Sequence, residues 1–152
     1  MEIVVMNRQQ AIEYCHQPHD EKVAMISIYT PIEEYHDEPF MSTIIGNGVD
    51  EILRLGFFDI DNSYPNIEGK MTIDDAELIV DMVERNKDKK IIVHCDEGQS
   101  RSAGIAAALS RFYNGDDSEY FNNPEMAPNH LCYDLVLVML TGSDYEEYRR
   151  KE

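Results

Sequence analysis

The segment from Ile91 to Leu109 restricts the fold more than any other. A short apolar strand, Ile91-Ile-Val93, passes through His94-Cys-Asp-Glu-Gly-Gln-Ser-Arg-Ser102 directly into the helix-prone Ala103-Gly-Ile-Ala-Ala-Ala-Leu109. Strand, tight loop and helix in that order belong to an α/β chain, and the flanking sequence repeats the alternation. Glu2-Ile-Val-Val-Met6 reads as a strand, and Asn7 is placed to cap a helix over Arg8–Cys15 that Pro18 ends. Val23–Ile28 is a continuous apolar run expected of a buried strand, and Glu51–Phe58 is a third strand candidate. Thr72-Ile-Asp-Asp75 has the form of a capping box, opening a helix whose Ile73, Ala76, Ile79/Val80 and Val83 share one face. Asn114-Gly115 closes the helix after the loop, residues 116–121 make a short helical turn, and Leu131–Leu140 is a buried helix capped by Thr141-Gly142. A last short helix is expected from Ser143, and the polar loop with Pro31, Glu33, Glu34, His36 and Pro39 is expected to be solvated.

These elements predict one α/β domain over residues 1–152, with a central, largely parallel sheet flanked by helices on both faces. The length of 152 residues suits one hydrophobic core. In such sheets ligands sit beyond the C-terminal strand ends, where Cys95 emerges and the loop after Phe58 approaches.

Charge narrows the partners. Asp and Glu number 30 against 13 Lys and Arg, a net charge of −17. Nucleic-acid backbones and anionic lipid surfaces are bound through Lys and Arg, so neither is expected as a partner. No run approaches the ~20 apolar residues of a membrane span. Met1–Met6 lacks the basic and apolar regions of a signal peptide, which makes the cytoplasm the expected location. Cys15, Cys95 and Cys132 are too few and too scattered for a disulfide framework, so one of them must be weighed as a nucleophile.

The loop between Cys95 and Arg101 carries that chemistry. Its backbone N–H groups, from Asp96 through Glu97, Gly98, Gln99 and Ser100 to Arg101, are placed to line a concave nest at the positive end of a helix dipole. Gly98 supplies a positive φ that a residue with a Cβ resists, and Arg101 a planar fork for two phosphate oxygens. Cys95 lies at the base of this field, which favours the thiolate, below a phosphate and in line with phosphorus.

His94-Cys95, five residues, then Arg101-Ser102 resembles the signature loop of the protein tyrosine phosphatases. The short chain resembles the compact dual-specificity branch, including small bacterial and phage-type members. The low-molecular-weight phosphatases carry the same spacing near the N-terminus, which disfavours that branch. The resemblance implies a cysteine-phosphatase fold and a two-step reaction needing no cofactor. Cys95 forms a phosphocysteine, an aspartic acid protonates the leaving phenol, and water hydrolyses the intermediate. It also implies that Ser102 stabilises the departing thiolate and that His94 orients the loop. The acid is expected some thirty-odd residues before the cysteine. Asp59 and Asp61 both qualify: Asp59 follows the strand directly in a Phe-x-Asp sequence and is slightly preferred, whereas Asp61 has the more typical separation.

Asp96 and Glu97 depart from relatives with basic residues in this loop. Their carboxylates are expected to point outward and to make polyanionic phosphoinositides poor substrates. A phosphorylated protein bearing phosphotyrosine, or a small aryl phosphate, fits better, with phosphoserine and phosphothreonine left open. His16, His19, His36 and His130 show no metal-ligand spacing. Cys15 or Cys132 is a candidate resolving partner for oxidised Cys95, Asn129 a candidate for positioning the hydrolytic water, and Tyr29, Tyr35 and Tyr64 candidates for lining a cleft. Two other functions use the same thiolate-in-a-nest design. One is a non-catalytic phosphate- or phosphopeptide-binding module, the other an arsenate-reducing or sulfur-transfer enzyme. The sequence leaves the oligomeric state open.

Overall fold

The computed structural model describes residues 1–32, 49–63 and 67–143. In chain order the elements are β1 (Ile3–Met6), α1 (Arg8–Cys15), β2 (Val23–Tyr29), β3 (Val49–Gly56), α2 (Ile73–Arg85), β4 (Lys90–His94), α3 (Arg101–Asn114), α4 (Ser118–Phe121) and α5 (His130–Thr141). The four strands form one sheet in the order β1-β4-β2-β3, and every pairing is parallel. Met6 and Ser27 both register with His94, and Tyr29 registers with Gly56, so the C-terminal strand ends share one edge. This is the α/β domain with a central parallel sheet that the alternation predicts.

Strand β2 is apolar on both faces because both are covered. Met25 and Val23 meet Ala11 and Cys15 of α1 on one side, together with Ile92 and Val49. Ala24, Ile26 and Ile28 point the other way, into the larger core built with α2, α3 and α5. Helices α1, α2 and α5 start at side-chain caps. Asn7 accepts from Gln10 N–H at 2.8 Å while the Gln10 side chain accepts from Asn7 N–H, and Thr72 and Asp75 form the same reciprocal pair. Asn129 Oδ1 accepts from Cys132 N–H at 2.9 Å to open α5, and Gly142, at φ +75°, ends it.

Of the boundaries that differ from those read in the sequence, two bear on the site. Strand β3 ends at Gly56, because Phe58 N–H donates to the Gly69 carbonyl and the Phe57 carbonyl is turned toward Arg101. Helix α3 starts at Arg101, which puts the arginine in its first turn. Helices α3 and α5 meet at Gly104, where a Cβ would lie 2.4 Å from the Asn129 carbonyl oxygen. The acidic loop from Glu33 to Pro39, with Tyr35 and His36, lies outside the described residues, as do Tyr64 and the helix expected after Ser143.

Candidate active site

The loop Cys95–Ser100 leaves β4 at the C-terminal sheet edge and delivers the chain to α3. Gly98 makes the turn at φ +70°, and a Cβ there would meet the backbone of Met6 and Asn7 at 2.9 Å. A left-handed turn and a close approach therefore both require glycine at this position. Arg8 N–H, at the start of α1, donates to the Asp96 carbonyl and pins the loop from behind. From the other side, Ala127 N–H donates to the Gln99 carbonyl at 2.8 Å, and the N–H groups of Asn129 and Gly104 donate to that of Ser100. The carbonyls of Asp96, Gln99 and Ser100 are thus turned to the surrounding protein. Among the described residues, no acceptor meets the backbone N–H groups from Asp96 to Arg101. Donors without acceptors in a loop that opens a helix are the elements of an anion nest.

Cys95 is buried at the base, and its Sγ lies 3.0 Å from Ser102 Oγ in the first turn of α3. Beneath it runs a chain of hydrogen bonds, part-buried at Arg54 and buried at Ser27 and His94. Arg54 Nη1 donates to Ser27 Oγ at 2.9 Å, Ser27 Oγ lies 2.6 Å from His94 Nε2, and His94 Nδ1 lies 3.2 Å from the Cys95 carbonyl. Arginine is only a donor, so one direction satisfies every member: Arg54 to Ser27, Ser27 to Nε2, and Nδ1–H to the carbonyl. That direction requires a neutral imidazole, in keeping with burial, which lowers the His94 pKa to about 4.

Arg101 is 5% exposed, with its guanidinium fixed on three partners. Nη1 donates to Thr30 Oγ1 at 3.0 Å and to the Phe57 carbonyl at 2.7 Å, and Nη2 donates to Asp96 Oδ2 at 3.1 Å. The Asp96 carboxylate therefore does not point outward as the sequence suggests. Thr30 at the end of β2 and Arg101 at the start of α3 offer it hydrogen-bond donors on the inner side of the loop, which solvent would match only at the loss of an ion pair. Glu97 is exposed.

The two acid candidates occupy different surroundings. Asp59 Oδ1 accepts from Ser100 Oγ and from Asn129 Nδ2, each at 2.8 Å, so this carboxylate is tied to the mouth of the loop. Asp61 Oδ1 instead accepts from Ser63 N–H at 2.8 Å, an Asx turn. Beside them a groove of about 410 Å³ is lined by Asp59, Asp61, Ser100, Phe121, Met126 and His130, among others. Asn129 spends its side chain on Asp59, on the Ile60 carbonyl and on capping α5, which leaves it no free donor for a water.

The remaining candidates are dispersed. Cys15 lies with Met25 in the α1 core, across the sheet from Cys95, and burial pushes its thiol up to about 11. Cys132 is buried in α5 on the Cys95 side, and burial raises its pKa well above the ordinary thiol value. His19 stacks on Tyr14, and Tyr29 packs beneath the Arg54 guanidinium. Among the described residues, no three His, Cys, Asp or Glu side chains gather as a metal site would need. Thr30, Ser27 and Arg54 escaped the sequence reading. Thr30 follows an apolar strand at the sheet edge where ligands are expected, a positional signal that could have singled it out.

No family model matches the chain, and a search of curated proteins finds no significant match. Solved structures do match. Tk-PTP in its active form shares 16% identity over 91% of this chain and 90% of its own, at a TM-score of 0.57. PTPMT1 in complex with PI(5)P shares 14% over 93% and 91%, at 0.59. The core catalytic domain of the PP-IP phosphatase SIW14 from S. cerevisiae, in complex with citrate, shares 15% over 97% and 83%, at 0.53. The fold is that of the protein tyrosine and dual-specificity phosphatases.

Proposed function

We propose that the protein is a cysteine-dependent phosphatase that hydrolyses a single phosphate monoester on a tyrosine side chain or a small aryl group. The observation that carries this reading is the set of backbone N–H groups from Asp96 to Arg101, without acceptors among the described residues, above a buried Cys95. In the first step the Cys95 thiolate attacks phosphorus, a P–S bond forms and the P–O bond to the phenol breaks. Asp59 gives its proton to the departing oxygen. In the second step water attacks phosphorus, Asp59 takes a proton from it, and the P–S bond breaks to return the thiolate, which accepts a hydrogen bond from Ser102.

Support for Asp59 over Asp61 comes from reach: Asp59 is hydrogen-bonded to Ser100 within the phosphate loop, while Asp61 is engaged in its own turn. The groove beside Asp59, with Phe121 and Met126 in its wall, suits an apolar leaving group. The net charge of −17 and the two loop carboxylates favour one phosphate on a neutral or basic partner over a polyphosphorylated lipid or inositol.

The test is release of phosphate from para-nitrophenyl phosphate and from phosphotyrosine peptides. Cys95→Ser should lower turnover by about a thousandfold or more, and that protein should retain phosphopeptide. Equal turnover by parent and Cys95→Ser overturns the reading, and stoichiometric binding by a parent that releases no phosphate replaces it with a binding module.

A further inference from the structure

Arg101 carries five N–H donors in a rigid fork, and the protein itself engages three of them. Nη1 uses both hydrogens, on Thr30 Oγ1 and the Phe57 carbonyl. Nη2 donates to Asp96 Oδ2, and the same oxygen accepts from Thr30 Oγ1 at 2.5 Å. Because Thr30 touches both Nη1 and Oδ2, this carboxylate oxygen lies on the Nη1–Nη2 edge of the guanidinium. The two hydrogens left, Nε–H and the second on Nη2, are parallel and share the opposite edge, where no acceptor among the described residues meets them. Such a pair grips two oxygens of one tetrahedral anion.

We propose that Thr30 and Asp96 form a clamp that turns the Nε–Nη2 edge of Arg101 toward the phosphate, which makes both of them positioning residues. The reaction they serve rests on the phosphatase reading above, while the clamp itself rests on these contacts. A carboxylate inside a dianion site opposes binding by its charge. Here it is paired with the guanidinium it orients, and its second oxygen, Oδ1, is shielded with no partner among the described residues. Freed from Arg101, Asp96 would be a poorly solvated, unpaired charge, so the pair is held together from both ends.

Thr30→Val keeps the side-chain shape and removes the hydroxyl, whereas Thr30→Ser keeps the hydroxyl. Thr30→Val should lower kcat/KM for para-nitrophenyl phosphate about tenfold and weaken tungstate binding to the Cys95→Ser protein by about the same factor. Thr30→Ser should restore both to within about twofold of the parent, and Asp96→Ala should also lose about tenfold in kcat/KM. The clamp is overturned if Thr30→Val matches the parent in both assays, or shifts only the melting temperature. It is equally overturned if Asp96→Ala raises kcat/KM, because the carboxylate would then compete for the guanidinium. A parent without aryl-phosphate turnover refutes the phosphatase reading alone, and tungstate binding by the Thr30 variants then decides the clamp.

Discussion

The floor of the site and the strap that carries its acid are built by opposite means. On the floor, His94, Cys95, Arg101 and Ser102 are all 5% exposed or less, and each of their side chains is held by at least one protein partner. The strap after β3 is exposed from Phe58 through Asp59, and it reaches the loop through hydrogen bonds from Ser100 and Asn129. The floor is stiff because packing and a continuous strand–loop–helix backbone leave it one arrangement. The Asp59 carboxylate is held at the loop by two donors that water could replace, so its placement is cheap to change.

Substitutions should expose this difference. The largest effect is expected on the floor: Arg101→Lys loses the planar fork and should lower kcat/KM about a thousandfold, equivalent to about 4 kcal/mol, with the melting temperature changed little. Turnover within tenfold of the parent would show that a point charge suffices.

A second floor effect appears in stability against pH. The folded pKa of His94, about 4, is below its ordinary 6.5, so between these values the unfolded chain binds a proton that the folded chain does not. The contribution of the neutral ring is therefore complete above pH 6.5 and is lost as pH falls toward 4, at most about 3 kcal/mol in all. Denaturant titrations near those two pH values should show it, and His94→Gln should flatten the dependence.

On the strap, Asp59→Asn should lower kcat about a hundredfold with a phenol leaving group and much less with a strongly acidic one, while Asp61→Asn stays within about threefold. A reversed ranking would transfer the acid to Asp61. Asn129→Ala should have a smaller effect than Asp59→Asn. It removes a donor to Asp59 and the cap of α5, so about tenfold in kcat and about 1 kcal/mol of stability are expected. A stability loss with unchanged kcat would mean that the strap holds its position without Asn129.

The same contrast explains what could be read in advance. Residues 91–109 are neighbours in sequence, and a buried strand followed by a glycine turn and a helix admits few conformations, so the placement of Cys95, Gly98 and Arg101 followed from local chemistry. The capping pairs Asn7–Gln10 and Thr72–Asp75 were legible for the same reason. Asp96 was misjudged because its orientation depends on Thr30, distant in sequence and brought near by β2–β4 pairing. Arg54 and Ser27 were invisible as partners of His94 because they come from two other strands.

What the sequence by itself determined is the alternating α/β architecture and the loop that turns backbone donors inward. Both arise from interactions within a few residues: apolar periodicity, caps and a glycine at positive φ. The tertiary structure alone decided which aspartate meets the loop, which edge of Arg101 faces outward and which proton His94 keeps. Those outcomes depend on side chains from separate strands sharing one sheet edge. Strand order and register, set by the packing of the whole core, bring them together.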